Sequence, residues 1–350
     1  MAQKREVTIY DIAKALNLSA STVSRGLRNH PAIKKETAER IQKMAWKLNY
    51  QQNTFARNLR KNRSNTIGVI LTRFDSGFLS MVISGIEEYC SSRGYTLLVC
   101  QSHDSHETEK QNLRTLYNSR VDGLLIAVAP DTNSIDHLDL FLNKRIPVVQ
   151  FDRVVDRGDH PCTTVSIDNR RAGYDATMHL IDQGCRRIAY LGENKSCPIF
   201  GQRLQGYLDA LEEAGIVSDE ELIITDHLDE GSGMRAAEKI LAMRERPDGL
   251  FAANDVSAVG VIYSLRKAGI RIPGEFAVIG FNNVLVSRVV EPALTTMNYP
   301  GTEMGRIAAK SLLDMLDGEF PVAAQSIILH HELVVRDSSV KTGETIPVVG

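Results

Sequence analysis

Cysteine is sparse in this chain and follows no pattern. Its five residues, Cys90, Cys100, Cys162, Cys185 and Cys197, are odd in number, widely spaced and without a Cys-x-x-Cys pair. That argues against a disulfide framework or a zinc ribbon and for buried or half-buried thiols in a reducing compartment. Long apolar runs are missing too, and none reaches the roughly 18 residues that span a bilayer. Met1–Tyr10 has charge but no apolar stretch behind it, so no secretory leader is expected and a cytoplasmic location is. There is no Gly-x-x-x-x-Gly-Lys-Ser/Thr loop, no Gly-x-Ser-x-Gly elbow and no His-Glu-x-x-His helix. No catalytic residue, cofactor or metal is therefore expected. His103-Asp104-Ser105-His106-Glu107 imitates a metal cluster, but a solvated loop leading into a helix is the simpler reading, with Glu107 favourable to the helix dipole. Short repeats and low-complexity tracts are absent as well.

What is present is a charge imbalance. Over all 350 residues the net charge is only −2. Residues 1–63, however, hold 14 Lys and Arg against four Asp and Glu, a net of +10, and the remainder carries −12. A basic head on an acidic body suggests that the head meets a polyanion and the body does not.

The head reads as short helices. Thr8 and Asp11 form a capping-box pair ahead of Ile9, Ile12, Ala13 and Leu16, which have helical spacing. Asn17-Leu18-Ser19 supplies a left-handed turn residue and then a cap. A second helix is predicted over 20–27 with Val23 and Leu27 inward, and a third over 35–49. Two short helices on a tight turn in a basic segment describe a helix-turn-helix, whose second helix enters the major groove of double-stranded DNA. Its outward residues are Ala20, Ser21, Thr22, Ser24 and Arg25. Arg25 suits bidentate reading of guanine. The small hydroxyl side chains suit phosphates and close approach.

From about residue 66 short apolar strands alternate with helical patterns, in about eight units. That is the pattern of parallel sheets covered by helices on both faces, and the number favours two α/β lobes with the break near 164–168. Ligands of such sheets sit beyond the carboxyl ends of the strands. Polar or aromatic residues there include Arg73, Phe74, Asp75, Asp152, Glu193, Asn254, Asp255, Asn282 and Asn283. Asp255 reads as a cap for the following helix, and Asp168 and Asn169 as turn-and-cap residues.

Val7-Thr8-Ile9-Tyr10-Asp11-Ile12-Ala13, Ser21-Thr22-Val23-Ser24-Arg25 and Leu48-Asn49-Tyr50 together resemble the head of the lactose/galactose repressor (LacI/GalR) family. The resemblance continues through Pro147–Arg153, Val165–Asn169, His179–Gly184, Ala252–Asp255, Val278–Phe281 and Leu294–Thr296 as far as Ser338. It implies an all-α helix-turn-helix head on a periplasmic-binding-protein-like core of two Rossmann-like lobes. The implied division is a head at 1–52, a hinge helix at 53–63 and a core at 64–340. The first lobe of that core takes 64–165 and 295–322, and the second takes 166–294 and 323–340. It implies a homodimer on a pseudo-palindromic operator, with no membrane contact, and a small-molecule effector between the lobes. No leucine-rich helix follows Arg336, which favours a dimer over a tetramer.

By the same resemblance Thr8, Tyr10, Ser19, Arg28, Asn53, Ala56 and Leu59 join the DNA-binding set. Leu59 would be the wedge that kinks the minor groove. Arg73, Phe74, Phe78, Asp152, Arg203, Asn254 and Asn282 form the effector set, although Arg203 also reads as a bridge between lobes. This sequence departs from the family pattern in the head, with Asn17 in place of a turn glycine, Gly26 at a usually apolar position and Arg28 in place of asparagine. It departs again at Gly280-Phe281-Asn282-Asn283, where two aspartates are common. Asn282 there would ease a neutral or anionic ligand over a cationic one. The effector expected is a sugar or sugar derivative, with a nucleobase or nucleoside as the other class. A sugar-transport protein and an enzyme with a nucleotide-binding lobe are the competing functions. The basic head and the missing leader argue against the first, and the missing nucleophile and phosphate loop against the second.

Overall fold

The computed structural model describes residues 7–50, 63–132, 134–155, 162–193, 197–318 and 324–341. It divides into two compact units, residues 1–64 and 65–350.

In the first unit, helices α1 (Ile9–Leu16), α2 (Ala20–Gly26) and α3 (Lys35–Lys47) enclose a small core of Ile12, Ala13, Val23, Ile41 and Ala45. The local signals act as expected. Asp11 accepts from the Thr8 N–H and hydroxyl, each at 2.7 Å. Asn17 is left-handed at φ 53°. Ser19 Oγ accepts the Thr22 N–H at 3.1 Å and so caps α2. Gly26 is buried because α2 lies against α3 there, and a Cβ at that position would overlap the Ile41 methyl. The departure at Gly26 is thus a close approach as well as a cost in helix propensity of about 1 kcal/mol.

The second unit holds two six-stranded sheets. The first has the order β11-β5-β4-β3-β1-β2, built from β1 (Thr66–Leu71), β2 (Thr96–Gln101), β3 (Gly123–Ile126), β4 (Val148–Phe151), β5 (Thr163–Ile167) and β11 (Ser326–Leu329), all parallel. The second has the order β12-β10-β9-β8-β6-β7. It is built from β6 (Ile188–Gly192), β7 (Ile223–Thr225), β8 (Gly249–Ala252), β9 (Ala277–Phe281), β10 (Thr295–Asn298) and β12 (Glu332–Val334), with only β10 and β12 antiparallel. Helices α4 (Gly77–Ser92), α5 (His106–Asn118), α6 (Asp139–Leu142) and α12 (Gly301–Asp317) belong to the first sheet. Helices α7 (Asn169–Asp182), α8 (Pro198–Glu213), α9 (Glu230–Ala242), α10 (Asp255–Lys267) and α11 (Val286–Val289) belong to the second. The central strands β3, β4, β6, β8 and β9 are buried along their whole length, as parallel strands covered on both faces must be.

The lobe boundaries differ from the expectation. Thr163–Ile167 pairs wholly within the first sheet, so the first crossover falls at 168. Thr295–Asn298, expected in the first lobe, pairs with β9 of the second. Ser326–Leu329, expected in the second, pairs with β5 of the first. The chain therefore crosses between sheets three times, at 168, at 299–300 and at 330–331. Each misplaced strand takes its partner from far along the sequence, which its own residue pattern does not encode.

Helices α7 and α8 pack tightly at Gly173 and Gly206. A Cβ on Gly206 would overlap the Arg170 carbonyl, and one on Gly173 the Arg203 carbonyl. This close approach seats Arg203, on α8, between the sheets. The thiols Cys90, Cys185 and Cys197 are buried, and burial pushes the Cys90 thiol up to about 12. No helix among the described residues is long and apolar enough to cross a membrane.

Candidate effector cleft and DNA-reading helix

A cavity of about 230 Å³ lies where strand ends of the two sheets face each other. Its lining includes Arg73, Phe78, Asp152, Arg203, Asn254 and Asn282 of the expected set. Phe74 does not line it and is 53% exposed. Of the two phenylalanines the one that lines the cavity is Phe78, in the first turn of α4, which stacks on Tyr299 at 4.2 Å between ring centroids. The first-loop expectation is corrected accordingly.

Three lining or adjacent Asx residues have left-handed backbones at strand ends. They are Asp152 (φ 59°) after β4, and Asn282 (φ 102°) and Asn283 (φ 54°) after β9. Asx side chains tolerate this region, which turns the strand end into the cleft. Asp152 is buried and accepts the Tyr299 hydroxyl at 3.0 Å. Burial raises its pKa, against the opposing pull of Arg153 and Arg203. Tyr299 sits in the second crossover, so this bond ties a crossover to the end of β4.

Arg203 is buried. Its Nε donates to Asn169 Oδ1 and its Nη1 to the Ala253 carbonyl, both at 2.9 Å, and its guanidinium lies 3.6 Å from the Phe281 ring centroid. It links the first crossover to the end of β8 and also faces the cavity. Asn169, read from sequence only as a turn residue, positions it. Asp168 accepts the Arg171 N–H at 2.8 Å and caps α7 as expected.

Two readings of the strand-end residues change. The cap of α10 is Asn254, whose Oδ1 accepts the Ser257 N–H at 2.9 Å while its amide donates to the Leu228 carbonyl at 2.7 Å. Asp255, expected to cap, is buried one residue inside the helix. It accepts the Val284 N–H at 2.8 Å and the Thr296 hydroxyl at 2.6 Å. Desolvation pushes its carboxyl up to about 7. Asn283 faces away from ligand duty too: its Oδ1 accepts from Arg336 at 2.7 Å and its amide donates to Asn298 at 3.1 Å. Asn282 keeps its side-chain amide unpartnered among the described residues while lining the cavity.

Sequence reasoning missed Arg153 and Asp104. Arg153 Nη1 donates to Asp104 at 2.8 Å and its Nη2 lies 3.9 Å from Glu193, joining β2, β4 and β6 ends across the cleft. Arg153 directly follows Asp152, and its position beyond a strand end was the signal available. Arg73 is held by Asp75 through two bonds, at 2.9 and 2.6 Å. The lining thus contains three guanidiniums, each with at least one protein partner although Arg153 Nε is buried without one, and six carboxylates: Asp75, Asp104, Asp152, Glu193, Asp229 and Asp255. Of the neutral or anionic ligand that Asn282 suggested, the excess of carboxylates over guanidiniums favours the neutral one.

In the head, Ser21 and Arg25 are exposed on α2, whereas Ala20, Thr22 and Ser24 are half-buried. Ser19 Oγ lies 2.9 Å from Ser21 Oγ and 2.8 Å from Thr22 Oγ1. Arg28 is exposed and donates to Ser24 Oγ at 3.2 Å. Arg25 has no side-chain partner among the described residues. Tyr10 is 70% exposed, and Thr8 is half-buried at its cap. Asn53, Ala56 and Leu59 lie outside the described residues.

Residues 8–53 match the bacterial regulatory proteins of the lacI family, and residues 177–339 match a periplasmic binding protein-like domain. The HTH-type transcriptional repressor PurR of Proteus mirabilis is 34% identical over 334 residues, covering 95% of this chain and 96% of its own. The chain belongs to the lacI family. A second relative, the NTD biosynthesis operon regulator NtdR of Bacillus subtilis strain 168, is 32% identical and covers 95% of this chain and 99% of its own. Among solved lacI-type structures, the lac repressor dimer bound to operator and the anti-inducer ONPF superposes with a TM-score of 0.86 at 23% identity, covering 96% and 100% of the two chains, which shows the shared fold. The regulator CelR in complex with cellobiose superposes at 0.71 with 27% identity, covering 95% and 100%. Like its relatives the chain is a transcriptional repressor of the lacI family and not an enzyme.

Proposed function

We propose that this repressor is a cytoplasmic homodimer that reads a pseudo-palindromic operator and is controlled by a neutral, polyhydroxylated small molecule of the sugar class. The observation that carries the ligand class is the cleft itself. Six carboxylates outnumber three guanidiniums in it, and each guanidinium already has at least one protein partner, while unpartnered Asn282 and several carboxylate oxygens offer donors and acceptors to hydroxyl groups. Phe78 supplies an apolar face, and the volume of about 230 Å³ suits a small ligand. The similarity to a cellobiose-bound regulator, and to a lacI-family regulator from Enterococcus faecium solved with ribose, points the same way.

On α2, Arg25 reads a base edge, and Ser19, Ala20, Ser21, Thr22, Ser24 and Arg28 fit the helix against base edges and phosphates. Thr8 and Tyr10 contact the backbone beside it. Asn53, Ala56 and Leu59 belong to a hinge that orders on DNA, with Leu59 as the minor-groove wedge. The exposed Tyr263, Leu285 and Val289, on and beside the packed helices α10 and α11, give the second copy an apolar face. Ligand in the cleft changes the lobe angle and so the separation of the two hinges, a coupling of about 1–3 kcal/mol.

Thermal unfolding of the full chain against neutral sugars, sugar phosphates, sugar acids and nucleobases tests the ligand class. A ligand at 100 times its Kd adds about 2.7 kcal/mol and raises Tm by a few degrees. The expected result is a shift with a neutral sugar and none with its phosphate. A shift confined to nucleobases or to anionic sugars overturns the proposal.

A further inference from the structure

Outside the cleft, the start of α5 meets the segment between β3 and α6 in a cluster that the repressor function does not use. Glu109 is fully buried there. Its Oε2 accepts the Ala129 N–H at 2.6 Å, and its Oε1 lies 2.5 Å from His137 Nε2, 3.3 Å from Thr132 Oγ1 and 3.7 Å from His106 Nδ1. The His106 and His137 rings meet edge to face at 4.6 Å, and the three ligand-capable atoms lie within 4.8 Å of one another. None of the three residues lines the cleft cavity.

One feature goes beyond an ordinary buried pair. The 2.5 Å contact is a hydrogen bond from His137 Nε2–H to the Glu109 carboxylate, but His137 Nδ1 is buried with no partner. With the ring proton on Nδ1 instead, Nε2 offers a lone pair toward the same point as Glu109 and His106. Leu113, Val128, Ile135 and Leu138, close to these residues in sequence, belong to a buried core of this lobe.

We propose that His106, Glu109 and His137 form a binding site for one late first-row divalent cation of the zinc type. Two imidazoles and one carboxylate are a known donor set for such ions, with a fourth position left to water. Neighbouring ligand atoms on a tetrahedral zinc stand about 3.4 Å apart. The His106 contact is already near that spacing, and the Glu109–His137 pair opens by about 1 Å. The cation replaces the proton between Glu109 and His137 and breaks the 3.0 Å contact from His106 Nδ1 to Thr132 Oγ1. The site would brace the turn before α5, whose Asp104 holds Arg153 at the cleft wall.

The test uses the full chain after chelator dialysis, titrated with zinc ion by calorimetry and with cobalt(II) by visible absorption. The wild type should take up one zinc per chain and give the intense absorption of four-coordinate cobalt. His106→Ala removes the least buried ligand and should weaken uptake at least about tenfold, since even supporting residues around metal ligands cost that much. Glu109→Gln should do the same. His103→Ala, in the neighbouring loop, should leave uptake unchanged. No zinc uptake by the wild type overturns the site, and so does uptake of equal strength in His106→Ala, which would place the ion on other histidines.

Discussion

Replacing Asp255 with asparagine isolates one buried carboxyl. Its two oxygens accept the Val284 N–H and the Thr296 hydroxyl, bonds that favour the charged form. Desolvation outweighs them and sets the native value at about 7, against 3.8 for the free group. At about 1.4 kcal/mol per unit, three units amount to about 4 kcal/mol. Between about pH 4 and 7 the native state holds a proton that the unfolded state has released. Stability therefore falls as pH rises through this window, and the whole cost is present above the native value. The amide that replaces the carboxyl does not titrate. Its oxygen can keep the Val284 bond and its nitrogen can donate to Thr296 Oγ1, so any packing penalty should be the same at every pH. Urea unfolding of both proteins at about pH 5, 6, 7 and 8 gives two stability profiles. About a third of the cost is already present at pH 5, so the variant should gain on the wild type by about 2.6 kcal/mol between pH 5 and pH 8. Asp152 and Glu193, whose pKa values burial also raises, contribute equally to both profiles and cancel. Parallel profiles, with a difference constant to about 1 kcal/mol, would refute the argument.

Gly206→Ala should destabilise the core by about 1–3 kcal/mol despite the better helix propensity of alanine, because its Cβ meets the backbone carbonyl of Arg170; denaturant unfolding showing a gain would disprove the close approach. Arg25→Ala should relax discrimination at one operator position by about 1–3 kcal/mol in binding assays over single-base operator variants. Equal loss on every sequence would make Arg25 a phosphate contact instead.

Much of this protein is written in local signals. The Thr8–Asp11 box, the left-handed Asn17 and the Ser19 cap each act within four residues, so the head is legible before any tertiary contact forms. The alternation of apolar strands with helices likewise announces two parallel α/β lobes, because strands covered on both faces must be apolar throughout. Asp152, Asn254 and Asn282 were recoverable for the cleft because strand ends face ligands in such sheets, whereas Arg203, on α8, came only from the resemblance to the family. What tertiary structure alone decided depends on partners distant in sequence. Thr295–Asn298 and Ser326–Leu329 change lobes relative to expectation because their pairing is set by β9 and β5. Phe74 and Phe78 are the same residue type four positions apart, and only the packing of Tyr299 in the second crossover selects Phe78. Asp255 exchanges a capping role for burial because Val284 and Thr296 reach it from 29 and 41 residues away. The gathering of His106, Glu109 and His137 has the same origin. His137 comes from beyond β3, 28 residues from Glu109, and a distance along the chain carries no information about a distance of 2.5 Å in space.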